Sequence, residues 1–132
     1  MAITTDIGAL IYLIKNTSAI ISQVGLFSDG TNKIVCETPI PESETNLPAI
    51  AITAVTGDNF YTVHDNFYNV NCHAETQGES LALARSVNNL FYDGSGDADN
   101  YSLVTSSTIL QSVSDIDSVN TPVRIRVKHI GD

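Results

Sequence analysis

The sequence has no tryptophan, one methionine, two cysteines and only six Lys and Arg against fifteen Asp and Glu. Each shortage excludes something. Two cysteines, Cys36 and Cys72, cannot build the disulfide framework of a small secreted domain. Free cysteine is among the most buried residue types, so both read as small core hydrophobes. A bridge between them is the alternative, disfavoured in a reducing cytosol. The net charge of -9 speaks against a tightly held nucleic acid, because phosphate binding needs clustered Lys and Arg. It leaves room for a channel through which DNA slides without sticking. No apolar run approaches the ~18 residues of a membrane span. Ile7 to Ile14 is apolar, but no basic residue precedes it and Lys15 follows, the wrong polarity for a secretory signal. The chain is expected to be soluble and made in the cytoplasm.

The signatures of common chemistries are missing too. There is no C-x-x-C and no H-x-x-x-H spacing for zinc. Cys72 and His73 are adjacent, and neighbours on a strand point to opposite faces. Asp97-x-Asp99 starts a calcium-loop pattern but lacks the Gly and distal Glu that complete one. Asp93 to Asn100 therefore reads as an acidic, solvated loop. Gly94-Ser95-Gly96 follows a helix, whereas a nucleophile elbow sits between strand and helix. No Walker loop or dinucleotide fingerprint occurs. His64-Asp65 reads as ordinary surface chemistry. No cofactor, metal or catalytic residue is expected, and the chain does not read as an enzyme.

What is present is a patterned chain of 132 residues, 42% hydrophobic, which is one domain (1–132) by size. A chain of that length buries about two thirds of the surface its unfolded form exposes. Thr4 or Thr5 can cap a first helix, with Asp6 at its positive end. Ile7, Leu10, Ile11 and Ile14 follow the spacing of one buried helical face. A short second turn carries Ala19, Ile20, Ile21 and Val24 and stops at Gly25. Lys33 to Glu37 reads as a short strand, and the Pro39 to Pro48 stretch as an extended surface connection. Ala49 to Val55 is apolar on both parities, as a central strand is.

Gly57 to Asn66 reads as a polar loop holding Phe60 and Tyr61. Phe67 to Glu75 alternates cleanly, with Tyr68, Val70, Cys72 and Ala74 on one face. Asn69, Asn71, His73 and Glu75 take the other. With the preceding strand it should form an antiparallel hairpin. Thr76-Gln77-Gly78-Glu79 has capping-box spacing. Leu83, Ala84, Val87, Leu90 and Phe91 then make one helical stripe, ended by Gly94. Leu103 to Val113 is strand-like, Ser114 to Thr121 a polar loop. The chain closes with Val123, Ile125 and Val127 alternating against Arg124, Arg126 and Lys128. The fold expected is two-layer α+β: a mostly antiparallel sheet of about four to five strands with two main helices packed on one face. The basic strand face is then solvated or meets the acidic surface of a neighbour.

Leu47-Pro48-Ala49-Ile50-Ala51-Ile52, the alternating strand Phe67 to Ala74, the helix Ser80 to Tyr92 and the terminal Val123-Arg124-Ile125-Arg126-Val127 follow an N-terminal helix in this order. In element order and spacing, from about Ile7 to Ile130, the chain resembles the tail terminator proteins of long-tailed bacteriophages, also called tail completion or tail-to-head joining proteins. That resemblance implies a homohexameric ring at the neck of the virion, assembled in the host cytoplasm. The ring would cap the tail tube protein, halt its polymerisation and offer a surface to the head connector or head completion protein. DNA would pass through without specific binding. No cofactor is implied. The residues expected at subunit or partner contacts are Phe60, Tyr61, Arg124, Arg126 and Lys128. Competing expectations are another neck protein, a head completion or connector-adaptor subunit, and a small dimeric ligand-binding α+β module.

Overall fold

A computed structural model describes residues 5–24, 34–36, 48–60, 63–98, 101–114 and 118–130. Helix α1 (Asp6–Lys15) starts where the Gly8 amide donates to the Thr5 hydroxyl at 3.0 Å. This satisfies one of the donors that a helix start leaves orphaned. It buries Ala9, Leu10 and Ile14, with Ile7, Ile11 and Leu13 partly covered. The short helix α2 (Ser18–Ile21) adds Ile20 and, just beyond it, Val24. Gln23 ties this turn to the third helix, its side-chain amide Nε2 donating to Ser86 Oγ at 2.8 Å. Gly25 lies outside the described residues.

Among the described residues seven strands form one sheet: β1 (Ile34–Cys36), β2 (Ala49–Phe60), β3 (Val63–Ala74), β4 (Asp93–Ala98), β5 (Tyr101–Ile109), β6 (Val113–Ser114) and β7 (Val119–Ile130). The spatial order is β1-β2-β3-β7-β5-β4, with β6 paired to β7. Among the described residues β1 with β2 is parallel and the other pairings are antiparallel. Helix α3 (Gln77–Phe91) follows β3. Its Thr76 cap accepts from the Glu79 amide at 3.2 Å, and the Thr76 hydroxyl donates to the Glu79 carboxylate at 3.0 Å. The Glu79 side chain thus closes the box onto the hydroxyl.

The sheet has one apolar face, and the helices pack on it. Tyr68, Val70, Cys72, Val123, Ile125, Val127, Ile50, Ile52 and Leu103 meet Leu83, Ala84, Val87 and Phe91 of α3 and the buried residues of α1. Full burial of each large aliphatic or aromatic side chain contributes about 1.5–3 kcal/mol. The α+β expectation therefore holds, with Cys72 a fully buried, free thiol in the core. Cys36 pairs with Ile52 and Cys72 with Ile50, so β2 runs between them. Two strand spacings, about 9.5 Å, exceed the reach of a disulfide.

Four local expectations are corrected. Asp93 to Ala98 is strand β4, pairing with β5 from Asp93↔Ser106 to Ala98↔Tyr101. β-propensity yields to context, and the β5 backbone supplies that context. Gly94 consequently belongs to a strand; α3 ends at Phe91. A Cβ at Gly94 would fall 2.5 Å from Thr105 Oγ1, so glycine there permits close approach of the two strands. Of the Gly57 to Asn66 stretch, residues 57–60 belong to β2 and 63–66 to β3, paired after a register shift between Ala54 and Thr56 as far as Phe60↔Val63. Phe60 thus lies in β2; Tyr61 lies outside the described residues. Val119 to Thr121, read as loop, already belongs to β7 because β3 pairs with it from Ala74↔Val119 onward.

Candidate functional site on the outer sheet face

The face of the sheet opposite the helices is built by the alternate residues of each strand. Register places them in cross-strand rows. One row runs Ala49, His73, Asn120; the next Ala51, Asn71, Pro122; the next Thr53, Asn69, Arg124, Thr108. Beyond them Phe67, Arg126 and Ser106 share a row, and Lys128 stands beside Val104. Small side chains on β2, amides on β3, cations on β7 and hydroxyls on β5 give this face its chemistry.

The amides are mutually bonded. Asn71 Nδ2 donates to the Ala51 carbonyl at 3.1 Å and to Thr53 Oγ1 at 3.4 Å. Asn120 Nδ2 donates to Asn71 Oδ1 at 3.1 Å. Asn120 Oδ1 is buried with no hydrogen-bond partner among the described residues. Arg124 Nε donates to Asn69 Oδ1 at 3.3 Å, and Arg124 is half-buried. Arg126 is exposed, its guanidinium 5.8 Å from the centre of the Phe67 ring, within cation–π range. His73 is half-buried, and burial holds its pKa below the usual 6.5. Val104 is 48% exposed, an aliphatic group left to solvent in the row of Lys128.

The three cations expected from the sequence do share one face, while their β7 neighbours Val123, Ile125 and Val127 are fully buried. Phe60 is backbone-paired in the hairpin, five positions along β2 from Val55. The bonding of Asn69, Asn71 and Asn120 was not read from the sequence. Its only signal was the recurrence of Asn on the polar parity of β3. Among the described residues no group of three or more His, Cys, Asp and Glu side chains could hold a metal ion. Cys72, its thiol pushed up to about 12 by burial, is on the opposite face from His73. Among the described residues no helix is long and apolar enough to cross a membrane.

A second polar cluster lies inside, under α1. The Asp6 carboxylate, buried in the first turn, accepts from Tyr68 Oη at 2.9 Å and from Asn66 Nδ2 at 2.8 Å. It fastens the helix to β3. Further along, Ser80 Oγ lies in hydrogen-bond contact with the Cys72 carbonyl and Thr121 Oγ1, both at 2.7 Å. Ser112 Oγ is 2.7 Å from the same Thr121 hydroxyl. These contacts are structural, joining α3, β3, β7 and the segment before β6.

No protein-family model matches the chain, and no curated protein does. Among solved structures, one chain of a structure described as the virion of a native gene transfer agent particle is similar in fold. The likeness covers 92% of this chain and 92% of that chain, at 16% sequence identity and a TM-score of 0.54. At that identity the likeness is one of fold.

Proposed function

We propose that this chain is a virion structural protein, specifically a tail terminator, working as a single 1–132 domain and not as an enzyme. The observation that carries the reading is the fold likeness, over nearly the whole of both chains, to a chain of the gene transfer agent particle. The element order of the sequence, which resembles the tail terminator family, narrows it from virion protein to neck ring. In this reading six copies form a ring at the tail-head junction. One side caps the tail tube protein and the other meets the head connector or head completion protein, with DNA passing through. Ring contacts are heterologous, so a subunit needs two unlike patches. Arg124, Arg126 and Lys128 on the outer sheet face supply a basic one in a chain with fifteen acidic residues. Phe60, paired with Val63 at the end of β2, and Tyr61 are proposed as aromatic contacts of the same assembly.

Negative-stain imaging with mass measurement tests it. Six copies of the 14.2 kDa chain make a ring of about 85 kDa. A particle of about 28 kDa would instead point to a dimeric binding module. The change Arg124→Gln, Arg126→Gln, Lys128→Gln should leave circular dichroism intact and weaken association, as should added salt. A monomer that stays monomeric both alone and on tail tube ends sinks the ring.

A further inference from the structure

We infer that the Arg124 guanidinium, held in place by Asn69, is the anchor that receives a carboxylate of a second copy of this chain. The inference rests on the ring reading and deepens it, because it picks one of three cations and assigns a positioning residue to it.

The three cations of the outer face are not equivalent. Arg126 is exposed and engaged with the Phe67 ring. Lys128 carries a flexible ammonium, a point charge without directional preference. Arg124 is half-buried in the middle of the sheet, in the row Thr53, Asn69, Arg124, Thr108. Its Nε donates to Asn69 Oδ1. Apart from that bond, no hydrogen bond or ion pair of Arg124 occurs among the described residues. The terminal nitrogens therefore present a fork that no other group among the described residues engages and that is not buried. A planar fork of that kind fits a carboxylate with two parallel hydrogen bonds. Side-chain order already imposed by Asn69 is order that binding need not impose again.

Charge complementarity selects the occupant. With fifteen acidic and six basic residues, and half of the basic ones on this face, a second copy offers mostly carboxylates everywhere else. Among the described residues, Glu75 and Glu79 are exposed acids, both at the junction of β3 and α3. They follow the end of β3 at Ala74, whereas Arg124 pairs with Asn69 in the body of that strand. A contact between them and the Arg124 site of a neighbour joins unlike patches, as a ring requires. Central, partly desolvated arginines are also the residues that dominate interface energetics.

The test measures self-association of the full chain by sedimentation equilibrium across a concentration series, with circular dichroism as the check on folding. Arg124→Gln and Arg124→Lys should each weaken association about tenfold or more, since lysine keeps the charge and loses the fork. Asn69→Ala removes no charge, yet should weaken it by about threefold, because the guanidinium is released. Arg126→Gln should stay within about twofold of the wild type. Wild-type affinity in Arg124→Lys would reduce the face to unspecific charge and overturn the inference. So would equal effects of Arg124→Gln and Arg126→Gln. Arg124→Lys keeps an aliphatic stem and a charge, so it reports even where Arg124→Gln fails to fold. A wild-type chain that never associates sinks the ring reading and this inference with it. Association that ignores the Arg124 and Asn69 variants sinks the anchor alone.

Discussion

Replacing Tyr68 with Phe tests how α1 is held to the sheet. Tyr68 is 8% exposed and Asp6 is 6% exposed, so the bond between the hydroxyl and the carboxylate, 2.9 Å long, is shielded from water. Hydrogen bonds to charged groups contribute about 1.5–3 kcal/mol, and a buried acceptor deprived of a donor carries its desolvation cost. Phe keeps the ring in the core and removes one oxygen, so little cavity term is added. Tyr68→Phe should therefore destabilise by about 1.5–3 kcal/mol. In a domain of this size that lowers Tm by roughly 5–12 °C. Urea unfolding of the wild type, Tyr68→Phe, Asp6→Asn and the double variant gives the coupling energy. Asn66 Nδ2, 2.8 Å from Asp6 Oδ2, stays in place throughout and keeps the carboxylate partly satisfied. A coupling below about 0.5 kcal/mol would show that the bond is not what fastens the helix, and the reasoning from burial would fail.

Gly94→Ala should cost about 1–3 kcal/mol by overpacking, because the new Cβ meets Thr105 Oγ1 at 2.5 Å and the Leu90 carbonyl at 3.3 Å. Adding Thr105→Ala should make the double variant less destabilised than the two singles combined; simple additivity in thermal melts would contradict the contact. Cys72, buried with its thiol pushed up to about 12, should resist a thiol reagent in the native state of a Cys36→Ser background and react on unfolding. Rapid native labelling would refute its burial. Burial holds the folded His73 pKa below 6.5, so the unfolded chain takes up a proton first as pH falls. Stability linked to this residue is complete above about pH 6.5 and lost as pH drops through the folded pKa. His73→Gln should flatten that part of the pH profile of urea midpoints; an unchanged slope would reject it.

Where side chains carry the pattern, the sequence was sufficient. The alternation Tyr68, Val70, Cys72, Ala74 placed β3 with its apolar face inward, and all four are buried. The stripe Leu83, Ala84, Val87, Phe91 and the Thr76 cap likewise defined α3. Strand β4 escaped because Asp-Gly-Ser-Gly-Asp-Ala has no apolar period; its partner is a backbone, that of β5. The hairpin extension escaped for a related reason. Polar residues from Gly57 to Asn66 look like a loop until β7 is known to pair along β3 as far as Val63↔Ile130. The cationic face was legible as parity on one strand. Its organisation was not, since Asn69 and Arg124 meet only through a register between strands far apart in the chain.

β7 lies in the middle of the sheet, between β3 and β5, yet among the described residues it is the last strand in chain order. Until Val119 to Ile130 emerges, β3 has no neighbour on that side, and β5 has only β4. A nascent or truncated chain therefore carries two raw strand edges and half of an apolar face. Addition of β7 closes the sheet over the core and, in the same event, sets Arg124 beside Asn69. Unfinished chains would lack the contact surface proposed for assembly. The topology thus ties the proposed surface to the presence of β7, so a copy cut short before Val119 has neither the closed sheet nor that surface.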